Sequence, residues 1–318
     1  MSKAPSGPTP QQSDAREAQQ PPRSYVLAGR EIDTAKAAPG LYIVATPIGN
    51  LGDITLRALA TLAGVDLIAC EDTRVTRKLT DHYGISTPLT PYHDHNAAKA
   101  RPMLLRRLHD GAAIALVSDA GTPLISDPGL KLVQAAQDAG HVVTPVPGAS
   151  SLLAALTVAG LPTNQFCFAG FLPPKPAARR ARLAELGRIP ASLVLFESGP
   201  RLAATLADIA GSLGQREIAI CRELTKFHEE IRRGKAAGLA QSCAEQPLRG
   251  EIVIVIAPSQ EEERPSPRTT DDMLRAALAR VSLKDAVSEV AEATGLPRRE
   301  VYQRALALAQ GAADGTPR

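Results

Sequence analysis

The feature that most constrains the fold is an alternation of short β-rich runs with amphipathic stretches, which begins at Gly40 and continues for about a hundred residues. The runs that we interpret as strands are 41–45, 65–70, 112–117 and 142–146, and the amphipathic stretches between or after them are 55–62, 73–80, 97–108 and 130–139. Strands that alternate with helices in this way are typical of βαβ units. The first part of the chain is therefore predicted to form a mostly parallel sheet covered by helices.

A second α/β region follows the turn signal at Leu161-Pro162. Its predicted strands are 165–169, 192–196, 217–222, 227–232 and 252–257. Because the last of these lie close together along the chain, hairpin pairing and a mixed sheet are expected here. The fold class is α/β, with two α/β domains and a small C-terminal helical segment.

The two ends of the chain differ from this core. Residues 1–38 are rich in Pro, Ser and Gln and show no hydrophobic period, so we predict a disordered extension. The domains then span 39–160 and 161–258, and a linker with a helical tail spans 259–318.

The tail carries clear helix-boundary signals. Ser282 is a good N-cap, Gly295 a good helix stop, and Pro297 suits the first turn of the next helix. The pattern resembles a helix-turn-helix with Arg298, Arg299 and Arg304 on its second helix, but a plain helical hairpin with a solvated charged face explains it equally well.

Composition restricts the functions that are available. Among 318 residues there is no Trp and only 3% are aromatic, so a base-stacking platform has little to be built from. The net charge of +3 is too small to indicate a polyanion partner, and any such contact needs a local basic cluster. Four widely spaced cysteines indicate reduced thiols, and no signal peptide or membrane span is evident, so we expect a cytoplasmic protein.

Three loops at the carboxyl ends of the first predicted strands are rich in Gly, Pro and hydroxyl residues. They are 46–53, 118–129 and 146–151, the last of which opens a helix. Each alone is explained by ordinary turn chemistry, but three at one sheet edge favour a small-molecule cleft. The first loop matches neither a dinucleotide fingerprint nor a P-loop. The second loop holds no Lys or Arg, which disfavours a triphosphate ligand.

Charged residues cluster in three further places. Glu71 and Asp72 precede Arg74, and a second group joins acids, Lys226 and His228 within 221–230. Either group could supply a general base, or either could be a solvated ion-pair turn. The segment 175–182 carries four cations and no acid, which suits a phosphate backbone or a solubilising helix start. His93 and His95 lack metal-ligand spacing, so no metal site is predicted.

Several of these motifs together resemble the tetrapyrrole methylase family, and within it the branch that methylates small-subunit ribosomal RNA on ribose. The runs that carry the resemblance are 45–53, 70–74, 118–129, 147–150, 168–173 and 223–230, in order and with family-like spacing between about Gly40 and Pro258. The tail also resembles that branch. Residues 197–201 read Glu-Ser-Gly-Pro-Arg where members commonly have Glu-Ser-Pro-His-Arg, and Ala97 stands where an acid is common.

The resemblance implies two α/β domains with S-adenosylmethionine in the cleft between them, a homodimer, and 2′-O-methylation of a decoding-centre cytidine in the 16S rRNA of the small ribosomal subunit. On this basis the cofactor-binding residues are expected to be Pro47, Gly49, Asp119, Ala120, Gly121, Thr122, Ile125, Ala149 and Ser150. The candidate catalytic residues are Glu71, Asp72, Glu223, His228 and Glu229. The candidate RNA contacts are Arg74, Lys175, Arg179, Arg180, Arg182, Arg201 and Lys226.

Two other functions fit the same sequence. One is a methyltransferase of the same fold that acts on a tetrapyrrole, which the basic segment 175–182 disfavours because a macrocycle does not require it. The other is a ribosome-assembly protein that binds RNA without turnover, which the intact cofactor loops disfavour.

Overall fold

The computed structural model describes residues 23–259 and 267–313. Its strands are β1 (Ser24–Leu27), β2 (Arg30–Asp33), β3 (Gly40–Val44), β4 (Leu67–Cys70), β5 (Leu89–Pro91), β6 (Ala113–Val117), β7 (Val143–Val146), β8 (Phe166–Phe171), β9 (Ser192–Ser198), β10 (Glu217–Arg222), β11 (Glu230–Lys235) and β12 (Glu251–Ile256). Its α-helices are α1 (Leu56–Gly64), α2 (Thr73–His82), α3 (Ala97–His109), α4 (Leu130–Asp138), α5 (Ser151–Ala159), α6 (Pro176–Leu186), α7 (Gly199–Leu213), α8 (Ala236–Glu245), α9 (Pro267–Leu278), α10 (Leu283–Thr294) and α11 (Arg298–Ala313).

The first sheet has the order β5-β4-β6-β3-β7, and all of its neighbouring strands are parallel. All side chains of the central strand β6 are buried, as expected for a parallel sheet with helices on both faces. The four strands and four helices predicted for this region are confirmed to within a few residues. The short strand β5 was not predicted, because three residues that end in a proline carry too weak a pattern.

The second sheet has the order β11-β10-β12-β9-β8 and is mixed. β8 and β9 are parallel, whereas β9, β12, β10 and β11 pair antiparallel. The predicted mixed sheet is therefore confirmed. One strand is displaced by three residues: β11 spans Glu230–Lys235 rather than the predicted 227–232, so residues 227–229 belong to the connection that follows β10.

The segment just before the first sheet is ordered, contrary to the prediction for residues 1–38. β1 and β2 form an antiparallel hairpin, and Tyr25 is buried in the core beside α1. The Arg23 guanidinium donates to the Gly64 carbonyl and to the Asp66 carboxylate, the latter at 2.7 Å. These contacts offset the ordering entropy that the composition alone leaves uncompensated. Residues 1–22 of that prediction lie outside the described residues.

Helix α5 packs on the second sheet, although the predicted division 39–160 assigns it to the first domain. Ala155, Leu156 and Ala159 are buried in one cluster with Val194 and Ala219. Because α5 directly follows β7, the last strand of the first sheet, it connects the two sheets, and the loop between β7 and α5 lies between them.

The tail forms a separate small helical core. The Ser282 hydroxyl accepts from the Asp285 N–H as an N-cap, and Gly295 ends α10 with φ of +67°. Pro297 immediately precedes α11 and its carbonyl accepts from the first turn of that helix. No helix within the described ranges is long and apolar enough to cross a membrane. Residues 260–266 of the predicted linker and 314–318 of the predicted tail lie outside those ranges.

Candidate active site

The three Gly-rich loops of the first domain interlock at one edge of the parallel sheet. Thr46 and Gly121 exchange backbone hydrogen bonds, with N–O distances of 2.9 and 3.0 Å. The Thr122 hydroxyl donates to the Ala149 carbonyl at 3.2 Å. Gly121 adopts φ of +79°, a conformation that glycine takes at no steric cost. The predicted convergence of these loops is therefore observed.

A cavity of about 330 Å³, called cavity A, lies between the loops and the second sheet. Of the residues predicted to bind cofactor, it is lined by Ala120, Gly121, Thr122, Ile125 and Ser150. The second domain contributes Phe171, Phe196, Leu224 and residues 250–253. Its charged lining residues are all acids, namely Asp127, Glu197 and Glu251. Cavity A is thus apolar and hydroxyl-rich, with carboxylates and no lysine or arginine in its wall.

A second cavity of about 260 Å³, called cavity B, lies between the 46–51 loop and α2. It is lined by Pro47, Gly49 and Asp119, all of which were predicted to hold cofactor, and by Lys78 and Lys226. Three residues line both cavities, Ile48, Ala120 and Glu251. The two cavities therefore share a wall. Eight of the nine predicted cofactor residues line one cavity or both, whereas Ala149 lines neither and instead accepts a hydrogen bond from Thr122.

Several carboxylates lie close together at this edge of the parallel sheet. The Asp119 Oδ1 atom accepts from the Asp72 N–H at 3.0 Å. Burial raises the pKa of Asp119, and the nearby charge of Asp72 raises it further. Burial likewise raises the pKa of Glu71 and of Asp127, and the Asp119 charge adds to both. A carboxylate with a raised pKa is a stronger base than an ordinary one.

Asp72 has a different environment. Its carboxylate accepts from the Arg74 backbone and guanidinium, at 2.8 Å and 2.6 Å respectively, which lowers the pKa of Asp72 to about 2. It also caps the start of α2. Asp72 is therefore suited to anchoring α2 and Arg74 rather than to accepting a proton.

The connection after β10 contacts the first domain through Lys226, which packs against Gly49. The Lys226 ammonium donates to Glu223 Oε1 at 3.1 Å and to Glu251 Oε2 at 2.8 Å. Burial alone would lower the pKa of Lys226, but these two carboxylates outweigh it and raise that pKa. A Cβ on Gly49 would lie 2.3 Å from Lys226 Cγ, so only glycine leaves room for this side chain.

None of the five candidate catalytic residues lines either cavity among the described residues. Glu223 Oε1 accepts from the Glu251 N–H at 2.8 Å as well as from Lys226, and Glu229 Oε2 accepts from the Thr225 N–H at 2.6 Å. Burial alone would raise the pKa of Glu223, but the hydrogen bonds from the Glu251 N–H and from Lys226 outweigh it and lower that pKa. His228 is exposed. Glu223 and Glu229 therefore fix the loop through hydrogen bonds, whereas Glu71 belongs to the carboxylate cluster and Asp72 caps α2.

The basic segment 175–182 is less free than its sequence indicates. The Arg179 side chain is only 6% exposed and donates to Asp208 Oδ2 at 2.6 Å, so it does not fit the predicted RNA contact. Arg180 reaches the same carboxylate at 3.4 Å but remains 54% exposed. Arg182 pairs with Glu185. Lys175 is exposed at the start of α6.

Arg201 also has a structural role. Its guanidinium donates to the Leu172 carbonyl at 2.7 Å and lies 3.3 Å from the buried Glu197 carboxylate. Arg74, another candidate RNA contact, is by contrast 87% exposed and pairs with Asp72.

Sequence reasoning missed Glu251, which lines both cavities, and the two phenylalanines of cavity A. Glu251 begins a strand in an ordinary apolar pattern, and only the packing of the second domain onto the first brings it to the site. Phe171 and Phe196 lie on neighbouring strands with ring centroids 5.6 Å apart. Nothing local in the sequence distinguishes either ring from a core residue.

Comparison with known proteins places this site in a family. The family model described as Tetrapyrrole (Corrin/Porphyrin) Methylases matches residues 40–240, and one described as RsmI C-terminal HTH domain matches 264–309. The chain belongs to the tetrapyrrole methylase family. The expected fold class is thereby confirmed.

Curated relatives share most of the chain. A protein of Mesorhizobium japonicum named Ribosomal RNA small subunit methyltransferase I is 49% identical over 90% of this chain and 97% of its own length. Proteins of the same name from Erythrobacter litoralis and Pseudomonas aeruginosa are 53% and 44% identical, each over 85% of this chain, and over 96% and 98% of their own lengths respectively. The resemblance to the ribosomal RNA branch is confirmed over nearly the whole length of these relatives.

Solved structures agree in fold. A cobalt precorrin-4 methyltransferase superposes with a TM-score of 0.53 at 17% identity, over 68% of this chain and 94% of its own. A uroporphyrin-III C-methyltransferase of Thermus thermophilus complexed with S-adenosylhomocysteine superposes with a TM-score of 0.50 at 19% identity, over 69% of this chain and 97% of its own. At this identity the likeness shows the shared two-domain fold.

Proposed function

We propose that this protein transfers a methyl group from S-adenosylmethionine to the ribose 2′-hydroxyl of a decoding-centre cytidine in 16S rRNA. The name shared by its full-length relatives supports an S-adenosylmethionine-dependent rRNA methyltransferase. The observation that carries the proposed transfer between two ligands is the shared wall between two chemically different cavities, at Ile48, Ala120 and Glu251. The cytidine and its 2′-hydroxyl are proposed from the resemblance to the ribosomal RNA branch. A donor in one and an acceptor in the other would meet at that wall.

The residues of cavity A fit S-adenosylmethionine. The cofactor combines an adenine ring, ribose hydroxyls and a sulfonium cation, and it supplies an electrophilic methyl group when bound. Phe171 and Phe196 offer apolar surface for a ring, and the hydroxyls of Ser126 and Ser150 offer polar contacts. Acidic lining residues without a lysine or arginine suit a cation and disfavour a polyphosphate.

Cavity B would hold the acceptor ribose. Methyl transfer to a hydroxyl needs alignment and removal of the hydroxyl proton. We assign proton acceptance to Asp119, because it lines cavity B, is held by the Asp72 N–H, and is more basic than an ordinary aspartate. Lys226, anchored by Glu223 and Glu251, would orient the sugar or its phosphate.

The RNA would approach over the exposed cations around cavity B. Lys78 lines the cavity, and Arg74 is exposed on the same helix. Lys175, Arg180 and Arg182 would extend this surface as backbone contacts. We further propose a homodimer that acts in the cytoplasm on the small ribosomal subunit.

The test is transfer of labelled methyl from S-adenosylmethionine to small subunits from a strain that lacks the modification. After digestion of the rRNA to nucleosides, we expect the label in 2′-O-methylcytidine. Label on a base, label in a tetrapyrrole substrate offered in parallel, or RNA binding without any label would contradict the proposal.

A further inference from the structure

Phe227 stands apart from the other large apolar side chains of the described chain. Its side chain is 97% exposed, whereas the next most exposed, Val142, is 65% exposed. It directly follows Lys226, which lines cavity B, so its Cα lies about 3.8 Å from that of Lys226. A lone exposed apolar residue is ordinary on a protein surface, and exposure alone would carry no conclusion.

The loop that presents Phe227 is constrained at several points. Glu223 and Thr225 both adopt positive φ, +48° and +66°, which is uncommon for residues other than glycine. The Thr225 N–H is held by Glu229, and the Lys226 and Glu229 N–H groups donate to the Glu223 and Lys226 carbonyls. Strained backbone that is over-determined by its surroundings is characteristic of functional sites.

An aromatic contact orients the ring. His228 contacts Phe227 edge to face, with ring centroids 5.1 Å apart and an interplanar angle of 79°. This contact uses an edge-to-face geometry, so it orients the phenyl ring without covering it. One face of an aromatic ring is therefore presented to solvent directly beside Lys226, which lines cavity B.

The exposed cations of α2 favour nucleic acid as the partner. Lys78 and Lys226 line cavity B together with Asp119 and Glu251. Arg74, which pairs with Asp72, and Arg77 add exposed positive charge on the same helix as Lys78. An exposed aromatic ring among cations is the combination that binds an unpaired base and its backbone. We infer that Phe227 stacks on an unpaired rRNA base next to the methylated nucleotide, and so holds the target ribose in cavity B.

This inference rests on the proposed function, and it gives Phe227 a positioning role rather than a catalytic one. The chemistry would remain with the cavity residues. Removal of the ring should therefore weaken capture of the RNA while leaving cofactor binding intact.

The test compares F227A, F227Y and F227W in methyl transfer to small ribosomal subunits. Base stacking on an aromatic side chain corresponds to an effect of about 5- to 150-fold, so kcat/KM for the subunit should fall by that factor in F227A. F227Y and F227W should recover most of it. The matched control is F166A, because Phe166 is 44% exposed but lines neither cavity.

A second readout uses the absence of tryptophan from the chain. In F227W the emission of the new indole should be quenched by added subunits, after subtraction of the same titration with the wild-type protein. F166W should show no such quenching. Unchanged kcat/KM in F227A, or unquenched emission in F227W, would overturn the inference.

Three further measurements separate the alternatives. Loss of S-adenosylmethionine affinity in F227A would assign the ring to the cofactor site, and a fall in molar mass by light scattering would assign it to contact with a second copy of the chain. Either result overturns the inference. If the wild-type protein labels no rRNA, the proposed function fails, and the quenching by subunits alone then decides whether Phe227 contacts RNA.

Discussion

Cavities A and B share a wall but differ in chemistry. Cavity A is lined by phenylalanines, hydroxyls and acids, whereas cavity B carries Lys78 and Lys226 beside the carboxylates of Asp119 and Glu251. The difference shows how one cleft can separate a cationic cofactor from an anionic acceptor. In the proposed reaction, the cofactor cation would meet only carboxylates in cavity A, the acceptor would meet two lysines in cavity B, and the reacting atoms would approach each other at the shared wall.

The largest effect should come from removing the proposed base of cavity B. In D119N the side chain keeps its shape and its acceptor for the Asp72 N–H but cannot take a proton. We expect kcat to fall by about 10²- to 10⁴-fold. The affinity for S-adenosylmethionine, measured by calorimetry, should stay unchanged. D138N on the exposed end of α4 is the control, and a weakened affinity with normal kcat would move Asp119 to cavity A.

The second effect distinguishes structural cations from those available to RNA. R179A leaves the Asp208 carboxylate, which is only 14% exposed, without its main partner, so the free energy of unfolding should fall by about 3 kcal/mol. R180A at the neighbouring exposed position should change it by less than about 1 kcal/mol. Urea unfolding of both variants measures this difference. Equal stabilities would mean that the Arg179 pair is not a structural anchor.

The pH dependence provides a third test of cavity B. Because the pKa of Asp119 is raised, its carboxylate loses the ability to accept a proton at a higher pH than an ordinary aspartate would. We expect kcat to fall about tenfold per pH unit as pH decreases below that pKa. The residual activity of D119N should lack this limb. Stability and cofactor affinity, followed over the same range, should not mirror the fall.

A fourth substitution tests cavity A. G121A places a methyl group at φ of +79°, where it would lie 3.3 Å from Ile48 Cγ2 in the cavity wall. We expect about tenfold weaker S-adenosylmethionine binding. The matched control is G140A, which has φ of +78° and open space around its Cβ. Both variants should lose about 1–2 kcal/mol of stability from backbone strain, but only G121A should lose cofactor affinity.

The smallest effect concerns the rim of cavity B. K78A removes one exposed cation from α2, so KM for the ribosomal subunit should rise several-fold. The salt dependence of binding should become shallower by about one released ion. An unchanged salt slope would show that the RNA follows another surface. The change should be independent of the cofactor concentration.

Much of the fold could be predicted because each βα unit carries a local pattern. The hairpin β1–β2 could not, since its stability comes from distant contacts such as Tyr25 on α1 and Arg23 on Asp66. The start of β11 was misplaced for a related reason. Phe227 reads as an apolar strand residue, yet the structure exposes it in the preceding loop.

The loops that form the site could be predicted, but the division of their residues between the two cavities could not. The sequence brings Gly121 and Asp119 within one loop, and only the packing of the second domain places them in different cavities. Arg179 looked like a free cation because Asp208, its partner, lies 29 residues away on α7. Contacts across domains and between helices carry no local signature.

The most direct test of the division between cavities is a crystal structure of this protein with S-adenosylhomocysteine. We predict that the ligand contacts Gly121, Thr122 and Ser150 in cavity A and leaves Asp119 and Lys226 open to the acceptor. A ligand seated in cavity B against Asp119 and Lys226 would contradict the account.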